Sequence, residues 1–449
     1  KALLKAGEAL HTARNLGAYG LAERLADPGT EAGATGGDLG GAAQVADPQA
    51  AADQGNPLEI VREKLSGIKN KKFMKAFEKT TYVQGQAKFT GPRTVSVDGQ
   101  EYTAKYIYIA TGTVPNIPPI PGLAEVPDLL TNVNLFELPV IPQSMTIIGG
   151  GAIGCEMAQA FRRLGCQVSV VHIDQHIVPL ADQDAAAVLQ EALAADGIKV
   201  YNAHKIEGVS QEGGQNVVTI KPLDGSGQAV KLKSEKVLVA AGRSPAISEL
   251  GLEKAGIKTG PLGIKTDKYL RTNRRRIFAV GDCNGYSLFS HSAMHQGMLA
   301  LMRAVSPLPM RMFQSRRYQV PWAVFTQPEL AEVGINEKQA REHGIKFEVI
   351  KKEYRSYGRT VADGHPDGFI KVITNPFGRI YGVTIVGQAA SELIHEWVFA
   401  IQHKKSMFSI MMMQHAFPSI SMINKMVCED WMMKRMESRL LRRIIRLLV

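Results

Sequence analysis

The run Gly149-Gly150-Gly151-Ala152-Ile153-Gly154 holds the strongest chemistry-bearing spacing in the chain. A GxGxxG pattern alone carries little weight. Here an apolar strand, Ser144 to Ile148, leads into it, a helix from Cys155 to Leu164 follows, and a second strand, Gln167 to Ile173, closes a βαβ unit. That context makes the run a dinucleotide fingerprint. Gly149 permits the tight turn, Gly151 lets backbone approach a pyrophosphate, and Gly154 lets the helix pack against the strand. The helix N-terminus supplies N–H groups and partial positive charge for the phosphate. The residue ending the second strand selects the nucleotide. An acid there suits the ribose 2′-hydroxyl of NADH, and a basic group suits the 2′-phosphate of NADPH. The sequence offers His172 and Asp174, and it leaves open these two roles and a plain surface turn.

A second signal is the stretch Thr272 to Asp282, in which a buried strand, Ile277 to Val280, delivers Gly281-Asp282 at its C-terminal end. Ligands bind at such strand ends in open α/β sheets, and an aspartate there can accept a hydrogen bond from a ribityl hydroxyl. The four cysteines (155, 166, 283 and 428) form no CxxC or CxxxxC pattern, which fits a reducing cytoplasm and excludes a disulfide scaffold. No zinc-type cluster is present, and His395-Glu396 does not extend to HExxH. Nine of the 17 methionines lie between Met407 and Met436, a pattern that suits core or interface packing better than a soft-metal site. No metal site is therefore expected.

The elements that position these residues need a large chain. At roughly 150 residues per domain, 449 residues imply about three domains. The composition, 45% hydrophobic and 21% charged, is that of a globular protein. Residues 2–25 read as an amphipathic helix rather than a signal peptide, 27–56 as a Gly-rich loop, and 57–77 as a helix. Strand patterns follow at 81–89, 94–97, 101–105 and the apolar run 106–110, read as buried. Residues 183–196 read as a helix, 198–240 as short strands, and the chain from about Tyr318 as a separate α+β domain. No stretch reaches the ~18 apolar residues of a membrane span. The uncharged segment Ser406 to Asn424, broken by Gln414, His415 and Pro418, reads as buried helix plus turn. The net charge is +11, of which residues 434–449 supply six basic groups against one acid. That concentration in a tail argues against nucleic acid as a partner. The tail alternates basic and apolar residues and suits an amphipathic helix lying on an anionic membrane or docking on a partner, or a plain surface helix covering a dimer.

Together these motifs resemble the pyridine nucleotide–disulfide oxidoreductases, flavoenzymes that include dihydrolipoamide dehydrogenase, glutathione reductase and mercuric reductase. The resemblance spans essentially the whole chain. It is carried by Ala110-Thr111-Gly112, the 149–154 fingerprint with Glu156, Ala241-Gly242-Arg243-Ser244-Pro245, Thr272 to Asp282, Phe289 to Gly297 and Val320 to Glu329. Gly387 to Trp397 looks most like the mercuric reductase-like branch. The resemblance implies an α/β fold with two Rossmann-like dinucleotide-binding domains, for FAD and NAD(P), plus a C-terminal α+β dimerisation domain. The implied division is 1–120 and 249–316 for FAD, 121–248 for NAD(P), 317–433 for dimerisation, and 434–449 as the basic tail. The implied cofactors are FAD and NAD(P)H. FAD would meet Lys1, Ala87, Ala110, Thr111, Gly112, Gly281, Asp282 and Ala293. NAD(P) would meet Gly149, Gly151, Ile153, Gly154, Glu156, His172 and Gly242, with Glu156 as the catalytic residue on the nicotinamide side.

Family members open with a strand, a GxGxxG turn and a redox CxxxxC. Lys1-Ala2-Leu3-Leu4 matches the family just after the second of those cysteines, so the resemblance implies that this unit precedes Lys1. Lipoamide- and glutathione-type members also carry a histidine and a downstream glutamate as a thiol acid–base pair. Here Phe417 and Met422 stand in those places, and His415 lies two residues early, read as a packed histidine. The paired C-terminal cysteines of true mercuric reductases are absent as well. The implied protein is a cytoplasmic homodimer, with its tail at the inner membrane face in the membrane reading. It would be a mercuric reductase-like NAD(P)H oxidoreductase acting on a small-molecule disulfide or a metal ion. The alternatives are dihydrolipoamide dehydrogenase and a catalytically silent flavoprotein-fold binding or membrane-associated subunit.

Overall fold

The computed structural model describes residues 3–5, 57–63, 66 and 80–437. Lys1, the loop 27–56, and most of the helices expected over 2–25 and 57–77 lie outside those residues. Residues 57–63 are helical, with Leu58 buried. The described residues gather into two compact units: those before 80 with 119–173 and 193–240 form one, and 80–118, 174–192 and 241–437 form the other. These cuts differ from the sequence boundaries at 120/121 and 248/249.

In chain order, the second unit begins with an antiparallel meander of β1 (Ala87–Phe89), β2 (Thr94–Val97) and β3 (Gln100–Thr103). Asp98 and Gly99, both at positive φ, close the β2–β3 hairpin in two residues, so β3 starts at Gln100 rather than Glu101. The strand expected from Thr81 shortens to Ala87, because Tyr82 and Val83 lie exposed outside the ladder. β4 (Ile107–Ile109) and β5 (Thr113–Pro115) follow. The run 106–110 is not buried throughout. Ile109 is buried but Tyr108 is exposed, its ring stacked on Phe278 at 5.1 Å.

The first unit carries β6 (Ser144–Ile148), α1 (Ala152–Arg163) and β7 (Gln167–Val171). After α2 (Gln183–Ala195), most of which belongs to the second unit, come β8 (Lys199–Tyr201), β9 (His204–Glu212), β10 (Gln215–Pro222), β11 (Val230–Ser234) and β12 (Lys236–Val239). β12-β6-β7-β8 form a parallel sheet, and β11-β10-β9 form an antiparallel one. A parallel sheet covered on both faces needs near-continuous apolar strands, which the 144–148 and 237–239 runs supply. α1 begins three residues before the expected Cys155, because Gly151 is already its extended N-cap residue.

The second unit resumes with β13 (Arg243–Pro245), antiparallel to β5, and the short pair β14 (Thr259–Gly260) and β15 (Gly263–Ile264). β16 (Ile277–Ala279) then pairs in parallel with β4, and α3 (Ser290–Val305) follows. A five-stranded antiparallel sheet, ordered β17 (Trp322–Val324), β18 (Glu329–Gly334), β21 (Ile380–Gly387), β20 (Phe369–Thr374) and β19 (Glu348–Glu353), forms the C-terminal layer. With it come α4 (Glu337–Glu342), α5 (Gly358–Ala362), α6 (Ala390–Gln402), α7 (Met407–Met411) and α8 (Met422–Met436). Trp397 is fully buried in this core, and its Nε1 donates to Asn424 Oδ1 at 2.8 Å. Asn424 donates in turn to Glu396 Oε2 at 2.8 Å, which ties α6 to α8. The segment 406–424 is only partly buried. Met407 and Ile410 face the core, whereas Met412, Met413 and Phe417 are exposed in the turn after α7. α8 runs across 433/434 as one helix, and Arg435 pairs with Glu348; residues 438–449 lie outside the described chain. Among the described residues, no helix is long and apolar enough to cross a membrane.

Under the C-terminal sheet, the buried Lys371 ammonium meets Asp182 at 2.7 Å, Asp184 at 2.5 Å and Glu337 at 3.2 Å. Beside it, Glu332 accepts from Thr384 Oγ1 at 2.9 Å. Burial, reinforced by the Asp182 charge, pushes the Glu332 carboxyl from 4.5 up to about 8, against the pull of the Thr384 hydrogen bond. A carboxyl raised on folding binds its proton more tightly in the native state, so its contribution falls as pH rises from about 4.5 to about 8. Glu332→Gln keeps an acceptor for Thr384 and removes the titration. Urea unfolding at pH 5 and pH 9 should show the variant gaining at least about 2 kcal/mol on wild type at the higher pH. An identical pH dependence in both proteins would contradict this assignment.

Candidate functional site

β6 ends at Ile148 and the chain turns at once into α1. Gly149 sits at φ 113° and its N–H donates to Val171 O at 2.8 Å, which fastens the turn to β7. Gly150 is buried, and its N–H donates to Nδ1 of His172 at 3.1 Å, so that ring carries its proton on Nε2. The Cys155 thiol donates to Gly150 O at 3.4 Å from within the first helical turn. Three contacts thus fix the turn from below.

The glycines of the turn do different jobs. A Cβ on Gly154 would collide with the carbonyl oxygen of Gly149, so the close approach of helix and strand requires glycine there. A Cβ on Gly151 would meet nothing within 4 Å. Packing therefore does not demand Gly151; its bareness leaves room in front of the helix. No side chain caps α1, so its first N–H groups face that room. This fits a pyrophosphate. Ile153 and Glu156 lie half-buried on the first turns of α1, and Asp174 is exposed beyond β7. His172 is buried at 7% exposure with Nδ1 committed to Gly150. Sequence reasoning offered His172 to the nucleotide and missed its grip on the turn; its place one residue past β7 was the available signal.

The second unit holds the other expected set. β4 and β16 run in parallel, so Ala110-Thr111-Gly112 and Gly281-Asp282 emerge at the same sheet end. Gly281 lies at φ 74° and its N–H donates to Gln296 Oε1 at 3.0 Å. A Cβ on Gly281 would stand 3.0 Å from that of Ala293 on α3. Asp282 Oδ2 accepts from Thr113 Oγ1 at 3.1 Å. Arg243 holds Thr113 from the other side, donating to its Oγ1 at 2.6 Å and its carbonyl at 2.7 Å. Ala110 and Thr111 are exposed, and a Cβ on Gly112 would meet nothing within 4 Å. This end of the sheet thus presents a braced carboxylate beside bare backbone, which fits the hydroxyl-rich chain of a flavin nucleotide. Ala87 is exposed on β1, in a different sheet. Gly242, expected with the glycine turn, falls in the second unit, where its carbonyl accepts from Asn116 N–H at 3.0 Å. Lys1 lies outside the described residues. Sequence alone did not single out Thr113, Arg243 or Gln296, although Arg243 lies within the Ala241 to Pro245 run.

All four cysteines are buried and unpaired with one another. Burial pushes the Cys155 and Cys166 thiols up to about 12, with the Glu156 charge adding at Cys155 and the Glu235 charge at Cys166. Burial raises Cys283 and Cys428 as well. None is a thiolate at neutral pH. Near the C-terminus, His415 Nε2 lies 3.1 Å from Glu396 Oε1, packed under the turn, while Phe417 is 77% exposed. Among the described residues, no cluster of three metal-ligating side chains occurs.

A family model described as pyridine nucleotide-disulphide oxidoreductase matches residues 9–297, and one described as the dimerisation domain of that family matches 320–427. The chain is 33% identical to the dihydrolipoyl dehydrogenase of Thermus scotoductus over 346 residues, 76% of this chain and 73% of that protein. It is 31% identical to the mercuric reductase of Staphylococcus aureus over 342 residues, 75% of this chain and 61% of that protein. The crystal structure of LpdA from Mycobacterium tuberculosis matches with a TM-score of 0.72 at 25% identity, covering 96% of this chain and 88% of that one.

The turn geometry gives a direct test. His172→Ala leaves the buried Gly150 N–H without its acceptor, at a cost of about 1–3 kcal/mol. Urea unfolding of His172→Ala should show a loss in that range, with partial recovery in His172→Gln. Wild-type stability in the alanine variant would show that the imidazole does not hold the turn.

Proposed function

Because this chain belongs to the pyridine nucleotide-disulphide oxidoreductase family, a class of enzymes that use FAD and NAD(P)H, we propose that it is a cytoplasmic, homodimeric oxidoreductase passing electrons from NAD(P)H to a soft metal ion. When bound, the two cofactors supply hydride transfer from nicotinamide to flavin and the electrons for the acceptor. The chain contributes binding and orientation. Gly149, Gly151 and Gly154 would hold the nicotinamide nucleotide by its pyrophosphate at the α1 N-terminus, with Ile153 and Glu156 on the nicotinamide side. Asp282, braced by Thr113 and Arg243, would accept a ribityl hydroxyl, while Gly112, Gly281 and Ala293 leave backbone within reach of FAD.

The observation that carries the metal-ion reading lies at Phe417 and Met422. A dithiol substrate must lose and regain protons, so its enzyme needs an acid–base pair beside the sulfur. Phe417 and Met422 cannot move a proton, and reduction of a metal ion such as mercuric ion to the metal takes two electrons and no proton. The buried thiols of Cys155, Cys166, Cys283 and Cys428 are unsuited to relay electrons.

A second reading, dihydrolipoyl dehydrogenase, is favoured by the part-buried His415–Glu396 pair, which joins a histidine and a carboxylate close to the expected place. The two separate in one assay series. In FAD-loaded protein held anaerobically, NADPH or NADH should bleach the flavin absorbance. Oxidation of the nicotinamide driven by mercuric ion should then exceed turnover of dihydrolipoamide at least tenfold. Dihydrolipoamide turnover that dominates, and that is lost in His415→Gln, would establish the second reading. A flavin that neither nucleotide bleaches would mean a silent flavoprotein fold.

A further inference from the structure

The run Arg274-Arg275-Arg276 has no part in the sites above. It leads into β16, and β16 runs away from it toward Asp282. Six residues at about 3.3 Å each in extended chain separate Arg276 from Asp282, so the arginines stand roughly 15 Å or more away, at the opposite end of the β4–β16 pair. At that end lies an open cavity of about 590 Å³, within the size range of small-molecule sites. Its wall includes Arg93, Arg271, Arg274, Arg275, Arg276 and Arg303, and no carboxylate.

The fold aligns these groups with neutral partners. Arg93 Nη2 donates to Ala104 O at 2.7 Å, Arg274 Nε to Ala255 O at 2.8 Å, and Arg303 Nη1 to Ser306 O at 3.2 Å. Gly256 makes room for Arg274, since a Cβ there would collide with its guanidinium. Among the described residues, only Arg271 has a counter-charge, Asp267 at 2.7 Å. Among the described residues, none of the other five forms an ion pair. The Nε of Arg303 is buried without a hydrogen-bond partner. Five uncompensated guanidinium groups around one cavity repel each other and together create a strong positive potential. Each also keeps donors free in a planar fork that matches phosphate oxygens. Tyr106 adds an aromatic wall.

We propose that this cavity binds a multiply phosphorylated small molecule, recognised by its phosphate chain. The arginines line a cavity of about 590 Å³, so several phosphates along one ligand would reach more of the forks than a single phosphate at one point of the wall. The ligand is either inorganic polyphosphate or a nucleoside polyphosphate, and the two share the phosphate chain.

Isothermal titration of the full chain at low salt tests this with tripolyphosphate, ATP and orthophosphate as probes. Tripolyphosphate should bind at least tenfold more tightly than orthophosphate. Arg275→Gln/Arg276→Gln should weaken tripolyphosphate at least tenfold while leaving the melting temperature and NADPH binding unchanged, since both side chains are exposed. Equal affinities for ATP and tripolyphosphate would identify the phosphate chain as the whole determinant, and tighter ATP would add a contact from the nucleoside. No tripolyphosphate heat, unchanged affinity in the double variant, or binding confined to an acidic peptide or an oligonucleotide would overturn the proposal.

Discussion

The contact on which the nucleotide-binding unit depends is the one between Gly154 and the carbonyl of Gly149. Any side chain at 154 would force the first turn of α1 away from the end of β6. With the two in contact, the helix axis points its unpaired N–H groups over the turn, and a phosphate placed there meets both the donors and the positive end of the helix. The turn does not hold this geometry alone. Val171 O receives the N–H of Gly149, and His172 receives that of Gly150, so the strand that follows the helix clamps the turn that precedes it. The βαβ unit closes on itself through two backbone amides.

The other unit solves a similar problem with side chains. At the end of β16 a carboxylate must be oriented and reachable. Thr113 on β5 holds Asp282 and is itself held by Arg243 on β13, and Gln296 reaches from α3 to take the Gly281 amide. In the C-terminal layer the corresponding network is Trp397, Asn424, Glu396 and His415, which links α6, the turn after α7, and α8 through buried and part-buried hydrogen bonds. Such networks stabilise most when every member is satisfied, and here, among the described residues, the Nδ1 of His415 is left without a hydrogen-bond partner. The thiols go the opposite way: burial keeps all four protonated, so the redox chemistry falls to bound cofactors rather than to this chain's cysteines.

Much of this was legible from local pattern. The βαβ unit could be read because strand, glycine turn, helix and strand are contiguous, and each announces itself by apolar period or by glycine. The end of β16 could be read because a short apolar run stops at Gly281-Asp282. What stayed hidden involves partners far apart in sequence. Thr113 and Asp282 are separated by 169 positions, and Arg243 and Thr113 by 130, so no window contains either pair. His172 has a structural role that the sequence pattern does not announce. A basic residue at the end of the second strand suits a nucleotide phosphate, but the same place lies directly beneath Gly150, and only coordinates separate the two. Tyr108 and Phe417 likewise show that an apolar side chain in an apolar run can still face outward.

The central claim is that the space before the α1 N-terminus holds the pyrophosphate of a nicotinamide nucleotide. Gly151 separates that claim from stability, since its φ of −75° accepts any side chain and no protein atom occupies the place of its Cβ. Fluorescence titration of NADPH and NADH against wild type and Gly151→Leu, alongside thermal melts of both, is the direct measurement. The account gives an unchanged melting temperature with at least a tenfold loss of nucleotide affinity. A leucine variant that binds nucleotide as tightly as wild type would contradict it.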